Sequence, residues 1–147
     1  MILIDTGPIV ALLNRNDRFH RWTTDQMAIL NPPLYSCESV VSEACFRLQQ
    51  AHLKVSGIFE LIDRKVLMIS FELRDEYSKV ADLMQKYSNL PMDLADACLV
   101  AMADKLPDAR VLTLDGDFLI YRKSTRQMIP TIMPEEIRSR VSRRRKR

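Results

Sequence analysis

Two carboxylates stand where the hydrophobic pattern calls for burial. Glu43 interrupts the run VVSEACF and Asp96 interrupts LADACLVAMA, each inside a helical pattern whose neighbours are apolar or small. An ionised carboxylate in such surroundings must either find a partner or take up a proton, because desolvation penalises its charge. No Lys or Arg lies within one helical turn of Asp96, and the nearest cation to Glu43 is Arg47 at i+4. Two further acids close short apolar runs: Asp5 follows Ile2-Leu3-Ile4, and Asp115-Gly116-Asp117 follows Val111 to Leu114.

If these acids meet, they need a counter-charge. Two like charges 4 Å apart repel by about 4 kcal/mol at an effective dielectric of 20, so a cluster of four is costly without one. A divalent cation supplies it, and an all-oxygen donor set without His or Cys suits Mg²⁺ or Mn²⁺ and argues against zinc. The chemistry that follows is hydrolysis of a phosphodiester by metal-activated water. Simpler uses compete for some of these residues. Asp93, three before Asp96, suits a helix cap; Asp5 could cap a helix; and Asp115-Gly116-Asp117 is a good turn. Mid-helix Glu43 and Asp96 have no such use. A phosphoryl-transfer site with an aspartyl nucleophile is disfavoured because no Lys follows Asp115 as that chemistry requires. A non-catalytic nucleic-acid or protein binding module on the same fold is the alternative.

The elements that would bring these residues together alternate between strand and helix. Ile2 to Ile4 reads as a buried strand, followed by a tight turn and a helix with Pro8 at its first position. Asn16 or Asp17 caps a second helix to about Leu30, Pro32-Pro33 breaks it, and a third helix runs from about Glu38 to Gln50. Residues 55–63 form a short helix and Val66 to Ile69 a strand. Leu73, Tyr77, Val80, Ala81 and Met84 mark an amphipathic helix from about Glu72 to Tyr87. Leu94 to Ala103 is apolar nearly all round and must be packed on all sides. Val111 to Leu114 gives a strand, and Ile129 to Met133 an edge strand. This alternation implies an α/β protein, a three-layer α/β/α sandwich around a central, mostly parallel sheet. Ligands of such sheets bind outside the carboxyl ends of the strands, which makes Asp5 and the Asp115/Asp117 turn neighbours although about 110 residues separate them.

Composition sets the limits of this reading. A chain of 147 residues with 47% hydrophobic and 28% charged content is expected to form one compact domain with a sizeable core. The net charge of +3 hides an asymmetry: residues 138–147 carry seven Lys/Arg and no acid, leaving 15 basic against 19 acidic residues before them. The expected division is a domain over 1–137 and a basic, flexible tail over 138–147, whose Arg143, Arg144, Arg145, Lys146 and Arg147 would attract an RNA backbone. Cys37, Cys45 and Cys98 form neither a CxxC pair nor an even framework and read as reduced, packed thiols. His20 and His52 lie outside the acid constellation and are assigned no chemistry. The N-terminus lacks a basic segment before its apolar run, and no stretch approaches the ~20 residues of a membrane span, so a cytoplasmic protein is expected.

Four segments, DTGPIVALLN, SEACF, PMDLADACLVAMA and VLTLDGDFLIYR, resemble the PIN-domain ribonucleases in order and spacing over about residues 1–134, particularly the VapC-type toxins of toxin–antitoxin pairs. The resemblance implies an endoribonuclease dependent on Mg²⁺ or Mn²⁺, usually a homodimer and commonly inhibited by a partner antitoxin. It carries the family's acids onto Asp5, Glu43 and Asp96. The fourth falls on Asp117 of the Asp-Phe pair or on Asp115, because DGDF has one residue where many relatives have two. Asp117 is taken as the catalytic acid and Asp115 as a further ligand. Thr6, Thr113 and Asp93 resemble positions that orient the acids or the water around the metal.

Overall fold

The computed structural model describes residues 1–145. Five strands form one sheet: β1 (Ile2–Ile4), β2 (Leu34–Ser36), β3 (Leu67–Ile69), β4 (Arg110–Leu112) and β5 (Thr131–Ile132), in the order β3-β2-β1-β4-β5. Every pairing between these strands is parallel. With its covering helices the sheet makes the expected three-layer α/β/α sandwich. The helices are α1 (Thr6–Leu13), α2 (His20–Ile29), α3 (Glu38–Gln50), α4 (Ser56–Asp63), α5 (Leu73–Lys86), α6 (Leu94–Lys105) and α7 (Glu135–Arg145), with a short 3₁₀ turn over Gly116–Leu119. No helix among the described residues is long and apolar enough to cross a membrane.

The chain runs outward from β1 in one direction through β2 and β3, then returns to the other side of β1 for β4 and β5. The sheet therefore has its switch point between β1 and β4, where a crevice opens beyond the strand ends. Both strands are anchored by fully buried apolar residues, Leu3, Val111 and Leu112. The Asp5 N–H continues their ladder to the Leu112 carbonyl at 3.0 Å. Helix α6 is buried from Ala95 to Ala103, as its composition requires. Truncating Leu99 there would cost roughly 2–5 kcal/mol.

Three local expectations are corrected. Helix α1 begins at Thr6 directly after the strand, so Pro8 sits in its third position; the first four N–H groups of a helix lack internal partners, and proline loses nothing there. Helix α2 starts at His20, because the Asp17 carboxylate takes the Phe19 N–H at 2.8 Å and holds the preceding residues in a turn. Strand β2 had no counterpart in the sequence reading. Its three residues are too few to show a period, and it is fixed by pairing with β1 and β3 and by the Ser36 hydroxyl donating to the Ile4 carbonyl at 2.8 Å.

A fourth point concerns the basic tail, which is helical through Arg145 in a helix that begins at Glu135, before the boundary expected after residue 137. Ile137 and Val141, one turn apart, give α7 an apolar side that packs with Phe19, Leu114, Leu119 and Met133. The contact is close: a Cβ added to Gly116 would lie 2.5 Å from the Val141 Cγ2. Of the expected RNA-binding residues, Arg143 is exposed on α7, Arg144 and Arg145 continue its backbone, and Lys146 and Arg147 lie outside the described residues.

Candidate active site

Asp5 leaves β1 and caps α1, its Oδ1 accepting the Thr6 N–H at 2.7 Å. Its Oδ2 accepts the Thr113 hydroxyl, also at 2.7 Å. Thr113 follows β4, and its Oγ1 in turn accepts the Asp115 N–H at 2.9 Å. One buried hydroxyl thus ties the acids at the ends of the two central strands. The Thr6 hydroxyl donates to Glu43 Oε2 at 3.2 Å, joining α1 to α3. Asp93 caps α6 through the Asp96 N–H at 2.8 Å, so Asp96 falls in the first turn, where the helix dipole favours an acid. Asp96 Oδ2 accepts the Tyr121 hydroxyl at 3.1 Å.

These side chains surround a cavity of about 460 Å³ lined by six carboxylates, Asp5, Asp17, Glu43, Asp93, Asp96 and Asp115, and by two cations, Arg18 and Arg47. Arg47 approaches Glu43 only to 3.9 Å, and both are partly exposed, so the pair neutralises little. The excess of negative charge is felt by the two most buried acids, each only 6% exposed. Burial is the main influence on Asp5 and raises its carboxyl to about 6. The Thr113 and Thr6 hydrogen bonds oppose that rise, and the charges of Asp115 and Glu43 reinforce it. Burial likewise pushes Asp96 up to about 8, with Asp93, Asp5 and Asp115 adding to it and the Tyr121 hydroxyl opposing it. Tyr121 is itself raised, by burial and by the neighbouring Asp96 charge.

The structure brings together Asp5, Glu43, Asp93, Asp96, Asp115 and Thr6 around the cavity, with Thr113 behind Asp5. The acid of the last turn that lines it is Asp115 rather than Asp117. Asp115 Oδ1 accepts the Asp117 N–H at 2.8 Å, so Asp115 also caps the 3₁₀ turn in which Asp117 lies. Sequence reasoning missed Asp17, Arg18 and Phe19, which come from the loop between α1 and α2, and it missed Tyr121. Nothing in their spacing signals the site, since their proximity arises only from tertiary packing.

Among the described residues no three Asp, Glu, His or Cys side chains already stand as a ready metal-ligand set. Asp5, Glu43, Asp93, Asp96 and Asp115 each accept at least one hydrogen bond from a neighbouring O–H or N–H. The donors fit a hard divalent cation in kind, being carboxylate oxygens gathered on one cavity, two of them raised by burial and by neighbouring negative charge.

A family model for the PIN domain matches residues 2–124, and the chain belongs to that family. No curated protein sequence matches it. Among solved structures it is similar to Mycobacterium tuberculosis VapC20, described as a sarcin-ricin loop cleaving toxin. The TM-score is 0.70 at 18% identity, over 80% of this chain and 92% of that one. At that identity the likeness concerns the fold.

Proposed function

We propose that this protein is a divalent-metal-dependent endoribonuclease, the toxin of a toxin–antitoxin pair. The observation that carries the reading is the under-neutralised carboxylate cavity at the β1/β4 switch point, where Asp5 and Asp96 are raised first by burial and further by the acids around them. Membership of the PIN family and the likeness in fold to a toxin that cleaves RNA support it.

Asp5, Glu43, Asp96 and Asp115 are the residues that would hold Mg²⁺ or Mn²⁺. When bound, such a cation lends positive charge to the phosphoryl group and makes water acidic enough to act as a nucleophile near neutral pH. The chain's own work is to fix the oxygens. Thr113 holds Asp5 and the Asp115 backbone in register, Thr6 aims Glu43, Tyr121 restrains Asp96, and Asp93 sets the start of α6. A water oxygen bonds to phosphorus as the P–O3′ bond breaks, leaving a 5′-phosphate and a 3′-hydroxyl. No side chain serves as nucleophile and the ribose 2′-hydroxyl takes no part, so preference for RNA resides in the surrounding groove. The remaining parts of the reading are a cytoplasmic homodimer, an antitoxin partner, and RNA-backbone attraction by Arg143 to Arg147.

Incubation of the purified protein with RNA in Mg²⁺, with and without chelator, tests this reading. The expected result is cleavage that stops on chelation, returns with Mg²⁺ or Mn²⁺ and leaves 5′-phosphate ends. Cleavage indifferent to chelator would sink it, as would no cleavage of any RNA. The second outcome favours the binding module.

A further inference from the structure

An RNA strand must bring its phosphates to a cavity lined by six acids, and the metal would offset charge at only one of them. Arg18 is one of two cations lining that cavity. Though exposed, it is held: its Nη2 donates to Glu136 Oε2 of α7 at 2.7 Å, and its guanidinium lies 5.2 Å from the centre of the Phe19 ring. The loop that carries it is pinned on either side, by the Asn16 N–H on Asn14 Oδ1 at 3.0 Å and by the Phe19 N–H on Asp17. A guanidinium has five N–H donors, and the bond to Glu136 uses one, so the fork can still engage a phosphate.

Helix α7 lies beyond the residues matched to the family, which end at 124, yet it is seated on the turn that carries Asp115. It brings a negative charge to the one cavity arginine that has a close partner. We propose that Arg18 is a phosphate-binding residue of the RNA site whose charge Glu136 of α7 masks in the free protein. RNA must then compete with Glu136 for the guanidinium, and the C-terminal helix tunes affinity without touching the reacting atoms. This rests on the ribonuclease reading.

The pair is exposed, 63% and 45% for its two side chains, so breaking it has little effect on stability and the variants fold. In steady-state cleavage, Arg18→Ala raises KM about tenfold and leaves kcat within about threefold, the signature of lost binding shared by ground and transition states. It also lowers the slope of log affinity against log salt by about 0.7, which a purely structural role would not do. Glu136→Gln lowers KM by about threefold, and this gain disappears when Arg18 is already Ala. An unchanged KM in Arg18→Ala overturns the proposal; a Glu136→Gln gain that persists without Arg18 overturns the masking. The same variants are combined with Asp96→Asn and titrated with a labelled single-stranded RNA, read by fluorescence anisotropy. If the wild type does not cleave, the nuclease reading fails alone where Arg18→Ala still weakens binding, and both fail where the parent binds no RNA.

Discussion

Helix α6 carries two buried acids two turns apart that live in opposite electrostatic worlds. Asp104 sits in the seam with α5, where Lys79 donates to Oδ2 and the Ser124 N–H and hydroxyl reach Oδ1 at 2.7 and 3.0 Å. Burial there raises the carboxyl, but the Lys79 and Ser124 contacts outweigh it and hold it below the usual range. Lys105 and Glu76 form a second ion pair across the same seam. Asp96, at the other end of the helix, has no cation to offset its burial; that burial, reinforced by three neighbouring acids, pushes it up to about 8. One acid is matched by its surroundings and joins two helices; the other is mismatched and available to something not in the chain. An unneutralised buried acid that lines a cavity is a marker of function for that reason.

The largest effect that tests this contrast comes from exchanging the roles of stability and activity. On the proposed reading, Asp96→Asn is expected to take away a metal-binding carboxylate at a cost of several kcal/mol at the transition state, a drop in cleavage on the order of 10³ or more. The same change relieves crowding among the carboxylates, so the metal-free melting temperature stays level or rises. Asp104→Asn should behave in the reverse manner, losing roughly 1–3 kcal/mol of stability as its charged hydrogen bonds weaken, with cleavage within about twofold. Denaturant melts and initial rates on both variants check the pair. An Asp96→Asn protein that cuts normally, or an Asp104→Asn protein as stable as the parent, would erase the distinction.

Within the cavity a smaller effect sharpens the boundary. Asp115 lines the space and adds to the raising of both Asp5 and Asp96, whereas Asp117 lies in the first turn of the 3₁₀ segment that Asp115 caps. Asp115→Asn is expected to lower the cleavage rate by about 100-fold or more, and Asp117→Asn by less than about tenfold. Rates measured over a Mg²⁺ titration show whether the loss can be recovered at high metal. The opposite ranking would return the fourth acid to the Asp-Phe pair.

That ambiguity shows where sequence reasoning stops. Glu43 and Asp96 were legible because they break long apolar helical patterns, and Asp5 because it closes a strand at a predicted switch point. A turn of the form Asp-Gly-Asp offers two acids one residue apart, and only the docking of Thr113 on the Asp115 N–H turns one of them to the cavity. Helices α3, α5 and α6 were readable from period and length. Strand β2 was too short to have a period, and α7 was hidden because Ile137 and Val141 are its only apolar residues within a run of charge. Arg18 is held by Glu136 across 118 residues and Tyr121 meets Asp96 across 25, partners that no local pattern relates.

The smallest expected effect is a pH dependence of stability, and its sign follows from the same two acids. Asp96 and Asp5 ordinarily titrate near 3.8 and are raised in the folded protein to about 8 and about 6. Between about pH 4 and 8 the metal-free folded chain therefore holds protons that the unfolded chain has released. Stability must fall as pH rises through that interval. Asp104 runs the other way: its contribution is full above its unfolded value and is lost only as pH falls through the lower folded one, so it adds no slope in the same window. In chelator, the melting temperature is expected to drop by several degrees from about pH 5 to pH 8, and Asp96→Asn should flatten most of that decline. Added Mg²⁺ should stabilise most at the alkaline end, where the carboxylates need shed no proton to bind it. A metal-free melting temperature that is constant or climbs across this range would mean that folding does not raise these two carboxyls. The contrast between the two ends of α6 would then have no electrostatic basis.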